Sequence, residues 1–325
     1  MPIKRFFSAL LMAVGIISAV SCPSFAADKI RIGVSNLNIT FLPAAVAAKK
    51  GFFRDEDLEA EIIRISAPVA VVSLVSGDLD YAMVLGSSVR AALRGLPIKV
   101  LGCFIDALAF ALITQPGIRS PQDVKGKTLG VSTFGSSSDV SARIMLKHYG
   151  VDPERDVKIL AVGRDSALLA ALKQKLIDVA VVSPPADAEG KKMGFHIVAR
   201  AYDIFRYPAI GLAANEKKIS EHPNEATRTL KALIRANRYM REDRAGTIQV
   251  LTEWAKVDPA SAAAAYDGSV AVFNSADGSI PEDGFRLVIQ QAKKELKITR
   301  EVEITEVSNL SILREAQKQL GLKGR

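Results

Sequence analysis

The chain has 325 residues, of which 49% are hydrophobic and 24% charged, and its formal net charge at pH 7 is +8. That apolar share, without a low-complexity or Gly/Ser-rich stretch, excludes a disordered or fibrous protein and fits a compact globular one. The basic residues are scattered among acids, as in Arg241-Glu242-Asp243-Arg244, and form no stripe interleaved with aromatics, which excludes nucleic acid as a partner.

Lys4 and Arg5 form a short basic head, residues 6–20 are an almost unbroken apolar run, and Ser24-Phe25-Ala26 puts small residues where a signal peptidase reads them. The run is too short and too poorly flanked for a lasting membrane span. The expectation is an exported, periplasmic protein, cut after Ala26 and soluble from Ala27. Ala19-Val20-Ser21-Cys22 loosely matches the box before a lipid-modified cysteine, without its usual leucine and with Pro23 following, so a lipid anchor at Cys22 is the alternative. After the cut at Ala26 only Cys103 remains, so no intrachain disulfide is expected and stability must come from the core.

Beyond the leader a pattern occurs twice. Ile32-Gly33-Val34-Ser35 reads as a strand end, and Leu129-Gly130-Val131-Ser132 repeats it 97 residues on. Leu79-Asp80-Tyr81-Ala82-Met83-Val84 reads as a second strand, and Ile177-Asp178-Val179-Ala180-Val181-Val182 follows it 98 residues later. Two strand–helix–strand units of one plan imply two similar α/β lobes. The connections read as helices: 41–50 with Pro43 in its first turn and Gly51 at its end, then 68–75 before Gly77. Residues 135–139 open a helix that stops at Gly150, and Asp165-Ser166 caps the run 167–172. Alternation of this kind predicts mostly parallel sheets covered by helices on both faces. From about Asn215 the pattern turns helical, over 223–240, 247–254 and 285–296, with Trp254 as a core or inter-helix anchor.

In open parallel sheets ligands collect beyond the carboxyl ends of the strands, where helix N-termini aim free N–H groups. Small and polar residues stand at those points: Asn36, Asn38 and Thr40 after the first strand, and Gly86, Ser87 and Ser88 after the strand at Tyr81. The second unit offers Thr133, Phe134, Ser136, Ser137 and Ser138, then Arg164 and Asp165, then Ser183. Each serine and asparagine alone also fits an ordinary helix cap; their joint placement on two repeated units points to a cleft. Arg164 and Arg206 are the candidate clamps for a carboxylate, sulfonate or phosphate, and Phe134, Phe205 and Tyr207 the candidate apolar walls.

Catalytic motifs are missing. Gly126-Lys127-Thr128 mimics the end of a phosphate loop, but Pro121 occupies the place of its first glycine and a strand follows instead of a helix. His148, His196 and His222 lack metal-site spacing, and neither a G-x-S-x-G elbow nor a G-x-G-x-x-G fingerprint occurs.

Several segments carry a family resemblance. Pro43, Ala44, Ala48, Lys49, Gly51-Phe52-Phe53 and Leu58-Glu59-Ala60-Glu61-Ile62 resemble the opening of the nitrate/sulfonate/taurine-type ABC-transporter substrate-binding proteins, a superfamily that includes thiamine-precursor binders. Leu74-Val75-Ser76-Gly77-Asp78-Leu79-Asp80-Tyr81-Ala82, then Asp123-Val124-Lys125-Gly126-Lys127-Thr128-Leu129-Gly130, then Ala170-Ala171-Leu172 with Asp178-Val179-Ala180 continue it in order. The resemblance implies a two-lobed, type II-like periplasmic-binding-protein fold: a leader over 1–26, lobe one over 27–107, a hinge crossing over 108–118, lobe two over 119–200, a return crossing over 201–212, and a helical second part of lobe one over 213–325. It further implies a monomer that uses no cofactor and performs no catalysis. Such a receptor captures a sulfonate-, nitrate- or pyrimidine-like molecule and hands it to an ABC permease with separate ATPase subunits.

Lys175 departs from the pattern, standing where the family usually has glycine before a strand. Two other readings stay open. One is an enzyme of the same fold, like the thiamine-pyrimidine synthases, whose cysteine-rich motif this chain lacks, or the menaquinone-pathway enzymes. The other is a sensor that presents its ligand to a membrane kinase.

Overall fold

A computed structural model describes residues 27–273 and 276–322. The leader, the cut after Ala26 and the Cys22 box lie outside the described residues. Five strands build one sheet: β1 (Asp28–Val34), β2 (Leu58–Arg64), β3 (Tyr81–Ala82) and β4 (Ile98–Ile105), with a fifth that arrives much later in the chain. The chain then builds a second sheet from β5 (Ala111–Thr114), β6 (Thr128–Val131), β7 (Lys158–Ala161), β8 (Val179–Val182) and β9 (His196–Arg200), and returns to the first with β10 (Ile210–Asn215).

The two sheets have the same plan. Their orders are β2-β1-β3-β10-β4 and β7-β6-β8-β5-β9. In the first, β1 runs parallel to β2 and β3, while β10 is antiparallel to β3 and β4. In the second, β6 runs parallel to β7 and β8, while β5 is antiparallel to β8 and β9. Each sheet is therefore four strands of one direction with a single reversed strand in its fourth place. The reversed strand is in each case the one that has just crossed from the other sheet. The mixed character was not expected from alternation alone, because the crossing strands were read as hinge: the stretch 108–118 contains β5, and the stretch 201–212 contains the start of β10.

The repeat read in the sequence holds at the level of single atoms. Asp80 donates its N–H to Arg31 O at 3.1 Å and accepts the Arg31 N–H on Oδ2 at 2.8 Å. Asp178 donates to Thr128 O at 2.9 Å and accepts the Thr128 N–H on Oδ2 at 2.9 Å. A carboxylate at the foot of each second strand thus clamps the first strand from both sides. The glycines follow the same logic. A Cβ added to Gly33 would come within 2.7 Å of Leu79 Cδ1, and one on Gly130 within 2.7 Å of Ile177 Cδ1 and Leu168 Cδ2. Each central strand carries glycine where the apolar residue before the aspartate folds over it.

Helices cover the sheets. Ile39–Phe41 forms a single tight turn that leads into the helix Leu42–Lys49, and Ala67–Ser76 ends on Gly77 in the left-handed conformation. In the second lobe Ser137–His148, Asp165–Lys173 and Ala186–Lys192 follow β6, β7 and β8. The expected helix 223–240 runs over Pro223–Glu242, and its apolar face packs Leu230, Leu233 and Ile234 into the first core with Ile30, Leu42 and Phe104. Trp254 lies half-buried at the edge of that core. Cys103 is buried and free, and its burial pushes the thiol well above its usual range.

Lys175 keeps the turn that glycine serves at the matching place in lobe one: its φ is 58°, against 83° at Gly77. The fold tolerates a side chain in the left-handed region here, where L-residues are strained. Replacing Lys175 by glycine should therefore stabilise the protein by about 0.5–1 kcal/mol, the relief of strain being partly offset by the looser unfolded chain. Equilibrium urea unfolding of Lys175→Gly checks this, and a loss of stability would contradict it.

Candidate functional site

The register of the sheets decides where a site lies. Ala111, the first residue of β5, pairs with Val182 and Arg200, the last residues of β8 and β9. Ile210, the first residue of β10, pairs with Ile105, the last of β4. The crossings 106–110 and 201–209 therefore each run from one carboxyl edge to the other. They are also bonded to each other: Ala201 N donates to Phe110 O at 2.9 Å, Tyr207 N to Asp106 O at 3.0 Å and Ala209 N to Ile105 O at 2.8 Å. Two carboxyl edges are joined by a paired, two-stranded link, and the loops that leave the strands lie at these edges.

A third contact closes the far side. The helix Pro259–Ser269 stands beside the turn Ile39–Phe41 of the first lobe. A Cβ added to its Gly268 would lie 3.2 Å from Pro184 Cβ and Cγ and 3.8 Å from Asp187 Oδ1, all in the second lobe. Glycine at this position lets the lobes touch.

On the first edge the expected residues serve mainly their own backbone. Asn36 is exposed and its Oδ1 accepts the Leu37 N–H at 2.9 Å, while Asn38 Oδ1 accepts the Thr40 N–H at 3.1 Å and so caps the turn Ile39–Phe41. Gly86, Ser87 and Ser88 fall in the first turn of the helix Leu85–Leu93, with Ser87 Oγ taking Arg90 Nη2 at 3.1 Å and Ser88 buried.

The second edge is richer. Thr133 and Phe134 stand at the tip of the loop after β6, and Phe134 is 62% exposed. Ser136 caps the helix Ser137–His148, and the hydroxyls of Ser132, Ser136 and Ser138 form a triangle with sides of 2.9, 2.8 and 2.9 Å. Ser137 is exposed. Asp139, in the same first turn, accepts the Gly135 N–H at 2.8 Å and pairs with Arg143 at 2.8 Å. Arg164 is exposed at the start of the helix Asp165–Lys173. Asp165 and Ser183 meet: the carboxylate accepts the Ser183 hydroxyl at 2.5 Å and its N–H at 3.2 Å.

Beside them stand residues the sequence reading missed. Asp187, buried, accepts Arg200 Nη1 at 2.8 Å, and the Arg200 guanidinium lies 5.8 Å from the centre of the Tyr202 ring. The signal was slight, since Ala186–Lys192 is a short helix behind two prolines and Arg200 looked like the end of a lobe.

The structure does not bring Arg206 and Tyr207 into this group. Both lie along the return crossing against the helix Glu282–Leu296, where a Cβ added to Gly284 would sit 3.0 Å from Arg206 O. Arg206 Nη1 is 3.9 Å from Asp106 Oδ1, and burial pushes the Tyr207 hydroxyl up to about 12, the Arg90 charge opposing the rise and Glu295 adding to it. A cavity of about 1200 Å³ lies elsewhere, between Asp106 and the segment carrying Ile280 and Leu310, and holds none of the expected residues.

Comparison with known proteins bears on this arrangement. A family model described as NMT1/THI5 like matches residues 38–245. A 4-amino-5-hydroxymethyl-2-methylpyrimidine phosphate synthase of Candida albicans is 28% identical over 217 residues, covering 61% of this chain and 63% of that protein. The riboflavin-binding protein RibY of Chloroflexus aurantiacus is 25% identical over 213 residues, covering 61% of this chain and 58% of that one. The chain thus spans less than two thirds of the length of either relative. Among solved structures, the periplasmic aliphatic sulphonate binding protein SsuA of Escherichia coli superposes with a TM-score of 0.68 at 15% identity, over 86% of this chain and 96% of its own. At that identity the likeness is one of fold.

Asp165 sets the pH behaviour of the second edge. Burial raises its carboxyl above the ordinary value, the Ser183 hydrogen bonds pull it back, and the charges of Asp187 and Glu189 raise it further. A raised carboxylate costs the fold stability in full above its folded pKa, and the cost shrinks as pH falls through that value and is gone below the unfolded one. Asp165→Asn should therefore melt higher than the unsubstituted protein at pH 7, with the gain shrinking as pH falls into the range where Asp165 is protonated. Melting curves from pH 4 to pH 8 check this; a gain that grows toward low pH would reverse the sign and refute it.

Proposed function

The chain belongs to the NMT1/THI5-like family, and from that premise we propose that it is an extracytoplasmic solute receptor serving an ABC importer. The observation that carries this reading is the pair of carboxyl edges facing each other across two short, mutually bonded crossings. That geometry suits a hinge. A small molecule between the edges contacts both lobes only when they are closed, so its binding favours the closed state by the difference in contacts. The closed form, a monomer, then docks on a permease whose ATPase subunits are separate chains. Export through the leader places the receptor in the periplasm, soluble from Ala27 or held by a lipid at Cys22. The names of RibY and SsuA, both binding proteins, support the receptor role.

A second reading has one specific support, the synthase of Candida albicans: an enzyme built on the same fold. A thermal-shift panel of alkanesulfonates, nitrate, pyrimidines, aromatic carboxylates and small amino acids separates the two. A ligand at a hundred times its dissociation constant stabilises a fold by about 2.7 kcal/mol, enough for a visible shift. The expected result is a hit recovered chemically unchanged, and a hit that comes back altered favours the enzyme. Closure itself is checked at the lobe contact. Gly268→Val should hold the lobes apart at Pro184 and weaken binding of that hit at least tenfold, with the melting temperature of the ligand-free protein preserved. Unchanged affinity would remove this contact from the closed state.

A further inference from the structure

We propose that the protein carries a second small-molecule site, in a groove beside the hinge, and that this site takes an α-amino acid with an apolar side chain. The site goes beyond the receptor reading; only its coupling to lobe closure rests on that reading.

The groove lies between the return crossing and the helix Glu282–Leu296. Its volume is about 480 Å³, in the range of small-molecule sites, and none of the loops that follow β1, β3, β6, β7 or β8 lines it. Phe205 and Arg206 form one wall, and Asp283, Leu287 and Gln290 the other. Steps of three and four residues place those last three on one face of the helix. The crossing itself has two sides. Ala201 and Tyr207 are buried in the cluster that joins Val100 of the first sheet to Leu112 of the second, whereas Arg206 is exposed and Phe205 half-buried.

Of the charges on the groove, Arg286 is committed, donating twice to Glu282 Oε1 at 3.1 and 2.7 Å. Arg206 has a single loose approach, 3.9 Å to Asp106, among the side chains of the described residues. Asp283 accepts no hydrogen bond and forms no ion pair among the described residues. The groove therefore offers one spare charge of each sign next to the apolar side chains of Phe205 and Leu287. That set matches a zwitterion with an apolar side chain: its carboxylate toward Arg206, its ammonium toward Asp283, and its side chain against the phenyl ring and the leucine. A simple anion would meet Asp283 and a simple amine would meet Arg206, so each pays a repulsion that the zwitterion avoids.

Helix and crossing are already at closest approach beside the groove. A Cβ added to Gly284 would come within 2.8 Å of Pro208 Cδ and 3.0 Å of Arg206 O. There is no slack at this contact, so an occupant that parts the two moves the crossing and the ribbon it belongs to. Occupancy of the groove and the angle between the lobes are then coupled.

Calorimetry on the purified protein tests the site, with L-leucine and L-phenylalanine as probes and with 3-phenylpropanoate and phenethylamine as analogues lacking one charge each. At least one amino acid should bind, and both analogues should bind at least tenfold more weakly than phenylalanine. Arg206→Gln and Asp283→Asn change exposed side chains, so both should melt like the unsubstituted protein, and each should weaken the amino acid at least tenfold. Silence from both amino acids overturns the site. An amino acid that binds both variants undiminished also overturns it, since the ligand then sits elsewhere. An analogue as tight as phenylalanine overturns the zwitterion. Small-angle X-ray scattering reads the coupling: the radius of gyration should shift when the amino acid saturates the protein, and an unchanged value overturns the coupling while leaving the site. A thermal-shift panel without a hit overturns the receptor reading and touches neither of these results.

Discussion

Ala111 sits between Val182 and Arg200, and Ile210 sits beside Ile105; the arrangement of the rest of the molecule follows from these registers. A strand that enters a parallel sheet at its carboxyl edge has to run backwards through it, which is why each sheet contains one reversed strand. The same entry leaves only 106–110 and 201–209 to span the gap, and segments so short hold the two edges opposite each other. Hydrogen bonds between the crossings turn two flexible connections into one ribbon. The hydrophobic cores reach into that ribbon, with Ala107 and Ile210 buried in one cluster and Leu108, Ala201 and Tyr207 in another that joins Val100 of the first sheet to Leu112 of the second.

The lobes share a plan but differ in how firmly it is held. Asp80 and Asp178 clamp their neighbouring strands alike. Asp80 also binds the Arg31 side chain at 3.1 Å and Lys218 at 3.2 Å, and Lys218 continues to Glu225, which accepts the buried Tyr81 hydroxyl at 2.9 Å. Burial works to raise the Asp80 carboxyl, and the bonds from Arg31 together with the Lys218 charge bring it below its ordinary value. This network fastens the helices Glu216–Glu221 and Pro223–Glu242 to the first sheet. Asp178 bonds the backbone of Thr128 and Gln115, matching a lobe that carries no added helical layer among the described residues. The first lobe is thus the more heavily cross-linked of the two.

How much of this could be read beforehand depended on whether the cause was local. The repeated strands were legible because Gly33 and Gly130, and Asp80 and Asp178, are fixed by contacts within one unit. Caps were legible for the same reason: Asn38 and Ser136 bond backbone two or three residues away. Strands β5 and β10 were hidden because the same few apolar residues suit a hinge or a strand, and only pairing with distant partners decides. The Asp187–Arg200 pair was hidden for a stronger reason. It exists because Val182 and Arg200 both oppose Ala111, which brings the helix after β8 against the end of β9. No spacing along the chain announces such a meeting. Arg206 and Tyr207 erred in the opposite direction, since a crossing has two faces and theirs turns to the helix Glu282–Leu296.

On both edges the polar groups divide into those already bonded and those that stand unbonded among the described residues. On the first edge Asn36 and Asn38 satisfy their own loops, and Ser87 is held by Arg90. The buried Ser88 hydroxyl on the same edge has no hydrogen-bond partner among the described residues. On the second edge Asp165 and Asp187 lie side by side, close enough for the charge of one to raise the other's carboxyl. Two like charges in a space that closes from solvent are tolerable only if something brings donors or positive charge between them. Arg200 answers that need on one side of Asp187, and Ser183 on one side of Asp165. Oδ1 of Asp187, turned toward Gly268, has no hydrogen-bond partner among the described residues. A donor brought to that oxygen removes the cost of leaving it unpaired.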